Sequence, residues 1–126
     1  MDELTAVGAT FVDALAERDF AGVERCLAPN VRLRSLKPPG PAEDNGSGAV
    51  VDALRSWFGT AEEFKVLDTV AERLADRVHV SYRFLLGDHP FNPGSGPQAI
   101  EQHLFCAVEN GRIAAADMLC SGFRPA

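Results

Sequence analysis

From Phe64 onward the apolar residues stop recurring at helical spacing and alternate with polar ones, and this change of period constrains the fold more than any other feature. Phe64 to Leu74, Arg77 to Gly87, Gln98 to Glu109 and Arg112 to Gly122 each read as a strand with one apolar face. They are joined at Ala75-Asp76, at the Pro/Gly-rich stretch Asp88 to Pro97, and at Asn110-Gly111. Asn-Gly is a hairpin dipeptide because both residues tolerate positive φ. Four long antiparallel strands in succession make a meander, and something in the first half of the chain has to cover its apolar face.

That half carries helical periods. Leu4, Val7, Gly8, Phe11 and Leu15 fall on one stripe, with Glu3, Asp13, Glu17 and Arg18 largely off it. Asp19 can cap a short second helix in which Phe20, Val23 and Leu27 repeat until Pro29 ends the run. Val31 to Leu36 then alternates as a half-buried strand. Lys37 to Gly48 holds three prolines, three glycines and two acids without a large apolar residue. It is expected to be a surface loop, long enough to act as a lip or lid. Ser47 can cap a third helix that places Val50, Ala53, Leu54, Trp57 and Phe58 on one broad face, with Gly59 suited to a left-handed C-terminal position. A chain of 126 residues has room for one core, so residues 1–126 are read as one domain.

Charge and composition remove several classes of function. Twelve basic against 18 acidic residues give a net charge of −6, which repels polyanions and argues against nucleic acid and anionic membranes as partners. No stretch approaches the roughly 18 apolar residues of a membrane span. Cys26, Cys106 and Cys120 are odd in number, lack a C-x-x-C pairing and sit in apolar surroundings, as expected of a reduced cytoplasmic protein without structural disulfides. His79, His89 and His103 show no metal-ligand spacing, and Gly94-Ser95-Gly96 runs into proline rather than opening a helix. Neither a metal nor a cofactor is expected.

Helix, helix, short strand, helix and four long antiparallel strands resemble the nuclear-transport-factor-2-like superfamily. Two local passages are similar as well: Asp19-Phe20 through Pro29-Asn30-Val31, and the hairpin Glu109-Asn110-Gly111-Arg112-Ile113. The resemblance implies an α+β cone: a strongly curved, mostly antiparallel sheet wrapped around three N-terminal helices, with one apolar pocket between them. Within the superfamily the chain looks most like SnoaL-like proteins, a group that includes polyketide cyclases. Trp57-Phe58-Gly59, Glu101-Gln102-His103 and Cys120-Ser121-Gly122-Phe123 are similar to a subgroup whose chemistry the resemblance does not supply.

For activity, the resemblance points to His103 and Asp117. SnoaL-like cyclases carry a His and an Asp on the last two strands, where a desolvated carboxylate and an imidazole can deprotonate a carbon acid. Whether the two side chains meet depends on the hairpin. A two-residue Asn110-Gly111 loop sets His103 opposite Met118 and turns Asp117 to the other side; a type I turn with a Gly bulge sets His103 opposite Asp117. The alternative for His103 is a partly buried, satisfied histidine, and for Asp117 an exposed carboxylate on the convex face. Ketosteroid isomerase, another member, aligns His103 with its neutral-acid oxyanion donor. Its other groups are missing: Arg32-Leu33-Arg34-Ser35 stands where its catalytic aspartate belongs, and Phe11 where a tyrosine belongs. Arg83 followed by Leu85 likewise lacks the Arg-x-Asp of the superfamily's epoxide hydrolases.

Tyr82 shares parity with Val78, Val80 and Phe84, so its ring is expected to be buried and its hydroxyl to need a partner, in the pocket or simply in the core. Trp57, Phe58, Phe11, Phe105 and Met118 are candidate pocket walls, and Arg34 can greet an anionic or carbonyl group beside the proline-rich loop. Two functions follow. One is a cofactor-free cyclase, isomerase or dehydratase working on a hydrophobic, polyketide-like carbonyl compound, with His103 as acid, base or oxyanion donor, Asp117 as base and Tyr82 as donor. The other is a non-catalytic ligand-binding or dimeric accessory protein. A homodimer is expected because the convex face is read as carrying Leu104, Cys106 and Leu119.

Overall fold

The computed structural model describes residues 2–126 and shows the expected order of elements with two short strands added, Gly40–Asn45 and Arg124–Pro125. Helices α1 (Glu3–Ala16) and α2 (Phe20–Arg25) lead into β1 (Leu27–Lys37), β2 (Gly40–Asn45) and α3 (Ser47–Phe58). Strands β3 (Phe64–Leu74), β4 (Arg77–Leu86), β5 (Gln98–Glu109), β6 (Arg112–Cys120) and the short β7 (Arg124–Pro125) follow. One sheet orders them β2-β1-β6-β5-β4-β3, with β7 added to β5. Only β1 and β6 run parallel; the other pairs are antiparallel. The architecture is therefore the α+β cone, with a curved, mostly antiparallel sheet and its helices on one face.

Local chemistry explains most boundaries. Asp2 and Asp19 cap α1 and α2 by accepting from the backbone N–H groups of Thr5 and Gly22, which relieves otherwise unpaired donors at each start. Asn110 and Gly111 both adopt positive φ, 52° and 75°, and close the β5–β6 hairpin in two residues. Gly8 lets α1 approach the sheet: a Cβ there would lie 2.6 Å from Val78 Cγ2.

The segment 37–48 is not an irregular loop. After a turn at Pro38-Pro39, Gly40–Asn45 pairs with β1 as the edge strand β2. Proline argued against a strand only if the strand were internal; β2 has a neighbour on one side, so Pro41 forfeits no sheet hydrogen bond that a second neighbour would need. Ser47 is the first residue of α3 rather than its cap, which is Gly46, and Gly59 ends the helix with φ −77°, not in the left-handed region. Strand β1 begins at Leu27, earlier than the alternation suggested, with an irregularity in its pairing between Leu27 and Arg32 that absorbs Pro29.

The buried side chains form one contiguous core between the inner sheet face and the helices. Leu15, Phe58, Val78, Val80 and Phe84 are completely buried there. Each such burial stabilises the fold by about 1.5–3 kcal/mol.

Candidate functional site

The β5–β6 register decides where the candidate acid and base go. Glu109 pairs with Arg112 and Val108 with Ile113, as a two-residue turn requires. The ladder then slips, so that Ala107 pairs with Ala115 and Ala114 is left over as a bulge. Beyond it Phe105 faces Asp117, Leu104 faces Met118 and His103 faces Leu119. Neither anticipated register is adopted: the tight turn is present, and a bulge inside the strand, rather than in the turn, supplies the one-residue shift.

His103 and Asp117 consequently share a face, but it is the outer one. Along β5 the buried positions are Gln98, Ile100, Gln102, Leu104 and Cys106, and these alternate with the outward Glu101, His103 and Phe105. Leu104 and Cys106, expected on the convex face, are thus core residues, 3% and 0% exposed. Phe105 points away from the interior it was expected to line, and Arg34, expected to greet a ligand group beside the proline-rich loop, also faces outward. Leu119 is outward as anticipated, and it pairs across strands with the equally exposed Leu36.

On this outer face Arg34 holds Asp117 through two parallel hydrogen bonds, Nε to Oδ1 at 2.7 Å and a terminal nitrogen to Oδ2 at 2.9 Å. The bond from Arg34 keeps the Asp117 carboxyl below its ordinary value, so it is an ionised partner rather than a base held ready by desolvation. His103 instead bonds to two neighbours: its Nε2 lies 2.7 Å from Glu101 Oε2 and its Nδ1 2.9 Å from His79 Nε2. The hydrogen bond from His103 lowers the Glu101 carboxyl in turn. Two open hollows of about 660 and 600 Å³ flank the Leu36–Leu119 pair. Arg34, Phe105 and Asp117 border the first; Lys37, Glu101, His103 and Arg124 border the second.

The interior is chemically different. Tyr82, Phe11, Phe58, Trp57 and Met118 are buried in it, as their parity and helical spacing indicated. Tyr82 donates its hydroxyl to Gln102 Oε1, and Gln102 Nε2 donates to Cys120 Sγ at 3.2 Å. Burial pushes the Tyr82 phenol well above its ordinary value and the Cys106 thiol up to about 12, so both are neutral groups. Ser35, on the neighbouring row of the inner face beside Met118, has a buried hydroxyl oxygen without a partner. Apart from Tyr82, the buried polar side chains among the described residues are Ser35, Ser81, Gln98 and Gln102; no carboxylate or imidazole is among them. One interior void of about 10 Å³ is walled by apolar side chains including Phe11, Leu33, Leu54 and Leu104.

Gln102 and Ser35 are the residues that sequence reasoning passed over. A signal for them exists: Gln102 sits in parity with Ile100 and Leu104, and Ser35 with Val31 and Leu33, so period two assigns both to the inner face. Neither is ionisable, and a search for acids and bases does not reach them.

A family model described as the SnoaL-like domain matches residues 9–116. The chain belongs to the SnoaL-like family. Among solved structures, this SnoaL-like chain is similar to a candidate polyketide cyclase from Xanthomonas campestris pv. campestris, with a TM-score of 0.74, 17% identity, and coverage of 93% of this chain and 89% of the other. A candidate ketosteroid isomerase from Kribbella flavida aligns with a TM-score of 0.67 at 17% identity, over 98% of this chain and 82% of the other. A nuclear-transport-factor-2-like protein of unknown function from Burkholderia pseudomallei gives 0.67 at 17%, over 94% and 90%. At these identities the likeness is one of fold. No curated protein is significantly similar in sequence. Among the described residues of the SnoaL-like chain no helix is long and apolar enough to cross a membrane, and the three cysteines are unpaired.

Proposed function

We propose that this SnoaL-like protein is a binding protein for a hydrophobic small molecule carrying one carbonyl or hydroxyl group, held inside the cone without acid–base turnover. The observation that carries this reading is the presence of polar groups in a largely apolar interior: the Tyr82–Gln102 pair and, on β1 with two strands between it and the strand of Tyr82, the unpartnered Ser35 hydroxyl. Buried polar atoms are nearly always satisfied, so an orphan hydroxyl marks a place for a ligand or water oxygen. Tyr82 can turn its one hydroxyl proton from Gln102 Oε1 to a ligand oxygen, while Trp57, Phe58 and Met118 supply the apolar contact. A ligand enters by displacing the residues that close this end: Trp57 lies under the Lys37 ammonium, 4.6 Å from its ring centre, and Phe123 packs on Phe58. Turnover is disfavoured because His103 and Asp117, the expected acid and base, face the other side. A reducing compartment such as the cytoplasm suits three unpaired cysteines.

Trp57 is the only tryptophan, and its emission reports binding directly. Titration with 2-acetylnaphthalene, a planar apolar ketone, is expected to quench it saturably, with affinity reduced about tenfold in Tyr82→Phe through loss of one hydrogen bond. Exchange of the ketone's methyl protons in D₂O is expected to proceed at the protein-free rate. Quenching without saturation overturns the binding reading; exchange accelerated by the wild type and not by Tyr82→Phe overturns the absence of turnover.

The outer face favours a second, compatible role as a homodimer. Leu36 and Leu119 are 56% and 51% exposed and directly paired, with Phe105 alongside and charged groups around them. An apolar centre with a polar rim is the pattern of a protein interface. Light scattering at micromolar concentration is expected to give twice the chain mass for the wild type and the single mass for Leu119→Glu; a monomeric wild type sinks the idea.

A further inference from the structure

Four titratable side chains form an unbroken hydrogen-bonded chain across three strands of the outer face. Glu72 Oε1 on β3 lies 3.1 Å from His79 Nδ1 on β4; His79 Nε2 lies 2.9 Å from His103 Nδ1 on β5; His103 Nε2 lies 2.7 Å from Glu101 Oε2. The two imidazole planes are within 4° of parallel, and His79 also stacks on Phe105 at 5.0 Å.

Counting protons shows what this geometry demands. Ionised carboxylates only accept, so Glu72 fixes a proton on His79 Nδ1 and Glu101 fixes one on His103 Nε2. Two neutral imidazoles have no further proton, and their remaining nitrogens would then direct lone pairs at each other across 2.9 Å. Three hydrogen bonds need three protons. We propose that His79 and His103 share one additional proton between His79 Nε2 and His103 Nδ1, forming a pH-responsive clamp that ties β3, β4 and β5 together. Two carboxylates at the ends compensate the added positive charge, leaving the unit at −1. When the proton leaves, the unit carries −2 and one of the three bonds must open.

The surroundings are consistent with a cation held there. Glu72 faces His79 from β3, Asp68 stands further along that strand opposite Arg83, and Glu101 flanks the pair on β5. Arg77 and Arg83 lie on either side of His79 along β4, Asp117 lies opposite Phe105 on β6, and Lys37 and Arg124 border the same hollow as His103. Of these, Asp117 is already engaged by Arg34, and Asp68 lies 3.9 Å from Arg83. The two carboxylates nearest the imidazoles are thus the two bonded to them. Opening of the clamp would loosen the wall of the hollow that His103 and Glu101 border. The clamp does not depend on a ligand in the cone.

Imidazole nitrogen NMR on the full chain between pH 5 and 9 tests this. The expected result is an N–H at His79 Nδ1 and at His103 Nε2 throughout, with the two inner nitrogens changing together at one midpoint, as coupled sites do. In His103→Phe the common step is lost and His79 changes alone. If that variant does not fold, the wild-type titration alone decides. Separate midpoints for the two residues overturn the proposal, as do inner nitrogens that stay unprotonated throughout. Saturable uptake of one Zn²⁺ per chain that displaces the common step also overturns it, because a metal ion would then be what the facing nitrogens hold.

Discussion

Arg34 on β1 and Asp117 on β6 stand directly opposite each other on parallel neighbours and join through a two-pronged ion pair. This contact explains why Asp117 is not poised as a base. The carboxylate sits in solvent with its best possible partner, and both side chains are more than half exposed.

The pair leaves a signature in acid. The bond from Arg34 depresses the Asp117 carboxyl below its ordinary value of 3.8 in the folded state. A group depressed on folding contributes stability above the unfolded value, and that contribution disappears as pH falls through the folded one. Solvent screening keeps it small. Stability of the wild type and Asp117→Asn, followed by urea unfolding, is therefore expected to differ slightly at pH 6 and to converge in acid once the pH has fallen through the depressed folded value. A difference that grows toward acid contradicts the pairing.

Gly8 tests the packing of α1 on the sheet. A methyl added there meets Val78 Cγ2 at 2.6 Å, and Val78 is wholly buried and β-branched, so it cannot rotate away freely. Gly8→Ala is expected to destabilise by about 1–3 kcal/mol despite the better helix propensity of alanine. The double variant with Val78→Ala is expected to cost less than the sum of the singles. Strict additivity in urea unfolding would show that the two residues do not touch.

Particular elements show what a sequence can and cannot reveal about such a fold. Strands β3 and β5 were legible to the residue, because turn signals bracket each run of strand-forming residues. β2 was not, because Gly40 to Asn45 has no apolar period; it is a strand only by virtue of pairing with β1, a tertiary cause. The bulge at Ala114 was equally hidden, since Ala114, Ala115 and Ala116 are identical and give no alternation to break. A single extra residue changes every partner beyond it, and so the placement of His103 against Asp117 was beyond reach. The face of His103 was within reach, since Glu101 and His103 alternate with the apolar Ile100, Leu104 and Cys106, yet Leu104 and Cys106 were expected on the convex face.

Leu54 borders the small apolar void inside the cone and is 1% exposed. Leu54→Ala enlarges a space that has no polar wall to hold water, so the lost contacts go uncompensated. The expected cost is about 2–5 kcal/mol by urea unfolding. Benzene at saturation is expected to raise the Tm of Leu54→Ala and leave the wild type unchanged. A cost under about 1 kcal/mol would mean that the core collapses around the deletion.

The three cysteines should separate by reactivity, because the thiolate is the nucleophile and burial opposes it. Cys106 is fully buried on the inner face of β5, and its thiol is pushed up to about 12, so at pH 8 only on the order of one molecule in ten thousand carries the thiolate. Burial also raises Cys26, which is 8% exposed. Cys120 is only half-buried and ends β6, so a small reagent can reach its sulfur without opening the sheet. Iodoacetamide at pH 8 is therefore expected to label Cys120 first in the folded protein and Cys106 last, slower by about a hundredfold or more, with all three labelled alike in urea. Peptide mapping of the timed reaction reads the order. Equal labelling of Cys106 and Cys120 without denaturant would mean that β5 opens far more readily than a core strand can.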